Sequence, residues 1–115
     1  MSKRTNDLYL TDILDSCKAI IEYTENLSFD HFSNDRKTYS AVIREFEIIG
    51  EAVGKLPDDM KNRHTDIEWQ DIKDFRNLLI HEYFGVDLEI VWNVIQEDIS
   101  NLIETVTEIR NSIQE

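Results

Sequence analysis

An all-α fold, an up-and-down four-helix bundle, is predicted from three features of the sequence. Proline occurs once and glycine three times in 115 residues, too few for the many turns of an all-β chain. Apolar residues recur at three- and four-residue steps over long stretches instead of alternating. The connections between those stretches are short, which makes neighbouring helices antiparallel. With 41% hydrophobic residues the chain reads as one domain covering residues 1–115, long enough to bury a core and too short for two.

The first helix is expected from about Asp7 to Leu27, where Leu10, Ile13, Leu14, Cys17, Ile20, Ile21, Thr24 and Leu27 form one apolar stripe, with Thr5 or Asn6 as its cap. The second starts near Ser33 or Asn34 and runs through Val42, Ile43, Phe46, Ile49, Ala52 and Val53. Pro57 ends it, because the residue before a proline is pushed out of the helical region. A short helical turn fits Asp58 to Arg63. The third helix begins close to Glu68 and reaches Phe84, with Gly85 suited to the left-handed position past its end. Asp87 caps a long fourth helix whose stripe includes Leu88, Val91, Trp92, Ile95, Ile99, Leu102, Val106 and Ile109. There is no internal repeat, low-complexity tract or linker.

No apolar run approaches the roughly 18 to 20 residues of a membrane span, and "MSKRTNDLYL" lacks the layout of a signal peptide, so a cytoplasmic protein without membrane contact is expected. Cys17, the single cysteine, lies on an apolar stripe and reads as a buried structural thiol. The net charge of −12 argues against extensive phosphate contact, since that depends on Lys and Arg. The charge is uneven. Residues 82–115 hold eight acids against Arg110, whereas residues 55–76 hold five bases against six acids and are nearly neutral. Local action on RNA and docking of a basic protein partner both remain open.

The third helix carries the stretch "FRNLLIHEYFG". At about 100° per residue Ile72, Phe75, Leu79 and Tyr83 share one arc that faces the core, Arg76 sits at its edge, and His81 points about 150° away. Leu78 and Ile80 fall outside the core arc, as do Ile90 and Val94 on the fourth helix. These surplus apolar patches flank the turn at Gly85 and suggest a homodimer interface, which would bring a second Arg76, Asn77 and His81 near the first. Scattered surface hydrophobes are the plain alternative.

Arginine matches phosphate with a planar fork, and histidine exchanges protons near neutral pH. Together they suit metal-free RNA cleavage. One imidazole withdraws the 2′-hydroxyl proton, that oxygen attacks the adjacent phosphorus, and the guanidinium steadies the charge, while a second copy lends the acid. Read as ordinary structure, Arg76 is a surface ion-pair former and His81 a helix-end residue. Glu47 and Glu51 can either orient the arginine or stay solvated, and Gly50 permits close helix packing. His31 and His64 show no paired ligand spacing for a metal, and Trp69 and Trp92 read as packing residues.

The segment "RNLLIHEYFGVDLEIVW" resembles the R-x4-H-x-Y signature of the HepT-like group within the HEPN superfamily. "AVIREFEIIGEAVGKLP" is similar to that group's second helix and "IEWQDIKDFRN" to its approach to the motif, so the resemblance covers almost the whole chain. It implies a dimeric four-helix bundle acting as a metal-independent ribonuclease toxin of a type VII toxin–antitoxin pair, without a cofactor. Its antitoxin would be a minimal nucleotidyltransferase (MNT). By position Arg76 and His81 are implied as catalytic, Asn77 as the supporting polar residue, and Tyr83 as the acceptor of AMP groups through which the antitoxin silences the toxin. Tyr83 lies two turns from Arg76, so an attached nucleotide would reach the arginine and compete with RNA. A tyrosine packed in the core with its hydroxyl at the rim fits the same position. Trp69 before "QDIKDF" departs from the more basic or glycine-containing run of the group, which bears on RNA affinity. The alternative function is a non-catalytic adaptor or partner subunit of a nucleotidyltransferase, in keeping with the acidic surface.

Overall fold

The computed structural model describes residues 3–81 and 87–114. Among them run α1 (Lys3–Thr24), α2 (Phe29–Ser33), α3 (Arg36–Lys55), α4 (Asp58–Asn62), α5 (Trp69–His81), α6 (Leu88–Glu97) and α7 (Ile99–Gln114), with no strand among the described residues. The all-α prediction holds. The four long helices read from periodicity are α1, α3, α5 and the α6–α7 pair. They lie in a row in which α7 packs on α1, α1 on α3, and α3 on α5.

The apolar stripes meet as their spacing requires. Leu10, Ile13, Cys17 and Ile20 of α1, Val42 and Val53 of α3, Leu79 of α5, Val91 of α6 and Val106 of α7 are all fully buried. Each such aliphatic side chain contributes about 1.5–3 kcal/mol when removed from water. Thr24 is buried but satisfied, its hydroxyl donating to the Ile20 carbonyl at 2.8 Å. The start of α1 is tied to the end of α7 by Arg110 Nε donating to Asp7 Oδ1 at 3.2 Å.

Several boundaries differ from expectation, most of them for local reasons. Helix α1 already includes Lys3, so Thr5 and Asn6 lie inside it and not ahead of its first turn. It stops before Leu27 because Asn26 takes φ 65°, a left-handed conformation that asparagine tolerates better than most residues. An extra helix, α2, precedes α3. Ser28 caps it by accepting from the His31 N–H at 3.1 Å, and it drives Phe32 into the core, with its ring 5.2 Å from that of Trp92. Asp35 then caps α3, accepting from the Thr38 N–H at 3.3 Å and the Thr38 hydroxyl at 2.7 Å. The start expected at Ser33 or Asn34 is therefore the end of a separate turn. Leu56, before the only proline, is extended at φ −73° and ψ 145°, and α4 follows directly.

The expected single fourth helix is two helices. Asp98 separates them at φ −110° and ψ −28°, yet its N–H still donates to the Val94 carbonyl at 2.9 Å and its own carbonyl accepts from the Leu102 N–H at 3.1 Å. The break is thus a local fault in a nearly continuous rod, with the core stripe preserved across it. No proline or glycine accounts for it. Among the described residues no helix is long and apolar enough to cross a membrane.

Candidate active site on α5

The start of α5 is fixed by its first residue. Trp69 is buried, and its indole N–H donates to the Lys61 carbonyl at 3.1 Å and the His64 carbonyl at 2.9 Å, fastening the helix to the end of α4. Just upstream, Asp66 accepts from the Thr105 hydroxyl at 2.9 Å and so anchors the approach to α7. Asp71 in the first turn suits the positive end of the helix dipole. Ile72, Phe75 and Leu79 then turn inward, with Phe75 edge-on to Phe46 at 5.1 Å and 81°.

Arg76 occupies the edge of that buried face, and its environment is set by α3. Its Cβ and Cγ lie directly over Gly50, where an added Cβ would come within 2.6 Å of Cγ and collide with the arginine Cβ as well. Only glycine permits this approach. Contacts closer than about 3 Å are excluded between such carbons, so a side chain at position 50 would push the arginine stem outward. The stem is half-buried as a result, and one guanidinium nitrogen, Nη1, donates to Asn77 Oδ1 at 3.1 Å. Arg76 Nε is buried and finds no acceptor among the described residues. A permanently charged group with a spare N–H and a planar fork is well matched to an anionic oxygen.

Asn77 and His81 stand one turn apart on the exposed side of α5. Arg76, Asn77 and His81 are thus on one helix, Arg76 and Asn77 in direct contact and His81 about 7.5 Å further along the axis by helical rise. His81 is also in the last turn of α5 among the described residues. Its exposure agrees with the predicted direction away from the core. Tyr83, the expected acceptor of AMP, lies outside the described residues, as do Phe84 and Gly85.

Other expectations resolve differently. Glu47 pairs with Arg44 at 3.4 Å and Glu51 is exposed, so the one hydrogen bond to the Arg76 guanidinium among the described residues runs to Asn77. The ordinary reading of Arg76 as a surface ion-pair former is not seen among the described residues, and the nearby Asp74 accepts from Gln70 at 2.9 Å. His31 Nδ1 lies 3.0 Å from Ser28 Oγ, and His64 is half-buried beside Trp69. Among the described residues no three His, Cys, Asp or Glu side chains are grouped so as to hold a metal. Of the surplus apolar residues, Leu78, Ile80 and Ile90 are exposed at 42%, 39% and 46%. Val94 is a correction. It packs half-buried against the core and lines a cleft shared with α5.

A family model described as "Ribonuclease HepT-like" matches residues 13–109. A candidate RNase of Methanocaldococcus jannaschii is 40% identical over 114 residues, covering 99% of this chain and 94% of the relative. A candidate ribonuclease HepT of Thermococcus cleftensis is 44% identical over 100 residues, covering 87% and 91%. A candidate RNase of Caldanaerobacter subterraneus subsp. tengcongensis is 42% identical over 101 residues, covering 88% and 90%. No solved structure matches the chain at a significant level.

Proposed function

This chain belongs to the ribonuclease HepT-like family, and from that premise we propose that it is a metal-independent endoribonuclease in which Arg76 and His81 carry the chemistry. The observation that supports this most is the placing of both residues on α5 within the matched region, with His81 exposed and Arg76 offering an unmet N–H beside Asn77.

The reaction follows from these groups. An imidazole takes the proton of a ribose 2′-hydroxyl, and that oxygen forms a bond to the adjacent phosphorus. The bond from phosphorus to the 5′-oxygen breaks, and a second imidazole, in its protonated form, donates to the departing oxygen. The products are a 2′,3′-cyclic phosphate and a 5′-hydroxyl. The guanidinium of Arg76 neutralises the extra charge on the five-coordinate phosphorus, with Asn77 holding it in place. One chain supplies one such histidine. A two-fold dimer through the exposed Leu78, Ile80 and Ile90 supplies the second His81 and explains why apolar side chains flank the motif.

In biological terms the reading is a toxin of a type VII toxin–antitoxin pair, held inactive by an MNT-type nucleotidyltransferase that attaches AMP to Tyr83. Each AMP adds a phosphate charge and a bulky base seven residues along the chain from Arg76, competing with RNA for the arginine. Cleavage of transfer and messenger RNA in the presence of chelator, with wild type, His81→Ala and Arg76→Ala, tests the catalytic part. Loss of at least about a hundredfold in rate by both variants, with unchanged melting, is expected. Equal cleavage by either variant defeats it. Mass spectrometry after coexpression with a neighbouring nucleotidyltransferase tests the second part, an AMP-sized addition on Tyr83 being the expected result.

The net charge of −12 favours one other reading, a non-catalytic adaptor or partner subunit of the nucleotidyltransferase. Cleavage in chelator that depends on His81 removes it.

A further inference from the structure

Helix α5 has α3 as its main neighbour, and on its other side it stands off from α6 and α7. The space between is a cleft of about 390 Å³. Its floor is apolar, built from Phe46 and Ile49 of α3, Phe75 of α5, and Val94 and Leu102 of α6 and α7. Its rim carries four exposed carboxylates, Asp66, Glu68, Asp71 and Asp98, and among the described residues no basic residue lines it. The volume falls in the lower part of the range of about 300–1,000 Å³ typical of ligand pockets, room for a few large apolar side chains.

Charge selects among occupants. A phosphate chain is repelled by four carboxylates around a low-dielectric floor, so the cleft is not an extension of an RNA path. A second copy seated two-fold on this cleft would set its own Asp66, Glu68, Asp71 and Asp98 against the same rim. An amphipathic helix with an apolar stripe and flanking Lys and Arg satisfies both features. Its stripe covers the phenylalanines, and its cations meet the carboxylates at the edge. We propose that the cleft between α5 and α6–α7 is the docking site of a short basic amphipathic helix belonging to a partner protein. The occupant contacts the Ile72–Phe75 face of α5, on the opposite side from His81, so the proposal stands independently of the catalytic reading.

The probe is a synthetic helical peptide of about 14 residues, or four turns, with leucines at three- and four-residue steps and lysines beside them; a second peptide carries glutamates in place of the lysines. Titration into the isotope-labelled full chain, followed by methyl NMR, is expected to shift Val94, Ile99 and Leu102 with saturable affinity for the lysine peptide alone. The double variant Asp71→Lys and Asp98→Lys is expected to weaken that peptide about tenfold or more and to gain binding of the glutamate peptide. Asp71→Asn alone gives a smaller loss in the same direction and guards against misfolding of the double variant. Equal binding of both peptides, shifts mapping to another surface, or an affinity untouched by either variant overturns the proposal. So does sedimentation showing that the charge reversals change self-association, which would make a second copy the occupant.

Discussion

Arg76 rests with its Cβ and Cγ directly over Gly50, in space that any larger residue at position 50 would fill. The helix bearing the candidate catalytic arginine is therefore registered against α3 by the absence of a side chain. Gly50→Ala is expected to destabilise the fold by about 1–3 kcal/mol through overpacking and to reduce RNA cleavage beyond what that loss explains, by displacing the guanidinium. Gly54 provides the control. A Cβ there meets only Lys73 Cε at 3.8 Å, an ordinary contact, so Gly54→Ala is expected to be neutral or to stabilise the helix by up to about 1 kcal/mol. Urea unfolding and cleavage rates of the two variants check the contrast, which disappears if α5 adjusts freely over α3.

Trp69 acts as a fastener. Its indole N–H serves two carbonyls, those of Lys61 and His64, and Trp69→Phe deprives both of that donor while keeping an aromatic ring in place. A loss of about 1–2 kcal/mol in urea unfolding is expected. An unchanged midpoint would mean that α5 is positioned by its contact with α3 and not by this anchor.

Cys17 is fully buried, and desolvation pushes its thiol up to about 12. The native protein at pH 8 is expected to resist an aromatic disulfide reagent and to react rapidly in denaturant. Fast labelling of the native state would show that the α1 stripe opens readily.

Asp35 links one helix cap to acid stability. The Thr38 hydroxyl, and next the Thr38 N–H, hold its carboxylate below the usual value of 3.8. A depressed folded value stabilises the protein above the unfolded value and loses that contribution as pH falls through the folded one. The stability gap between wild type and Asp35→Asn is therefore expected to narrow as pH is lowered below about 4. Urea midpoints measured down the acid range check this; a gap that stays constant with pH contradicts it.

Much of the fold was legible because apolar spacing and burial obey the same geometry. The stripe Leu10, Ile13, Cys17, Ile20 is fully buried as its periodicity required, and His81 is exposed as its phase required. Missed features depend on backbone detail or on distant partners. The left-handed Asn26 shortened α1, the second cap at Asp35 separated α2 from α3, and the fault at Asp98 has no local sequence signal. At the site, close packing at Gly50 was foreseeable from its place on the helix, but that Arg76 is what it accommodates depends on the relative register of α3 and α5. Periodicity within one helix says nothing about that register. The cleft escaped notice for the same reason, since it arises from helices that stand apart.

The row of helices has a bearing on dynamics. Helices α1 and α3 each lean on neighbours from both sides, while α5 is held mainly by α3. In a single chain, where α3, the Trp69 fastening and the Asp66–Thr105 link hold it, α5 is easier to detach than α1, so its backbone amides should trade hydrogen for deuterium before those of α1, and pairing of two copies through Leu78 and Ile80 should slow that exchange. When α5 detaches, Arg76, Asn77 and His81 leave together, and activity would be extinguished by a partial opening that spares the rest of the molecule.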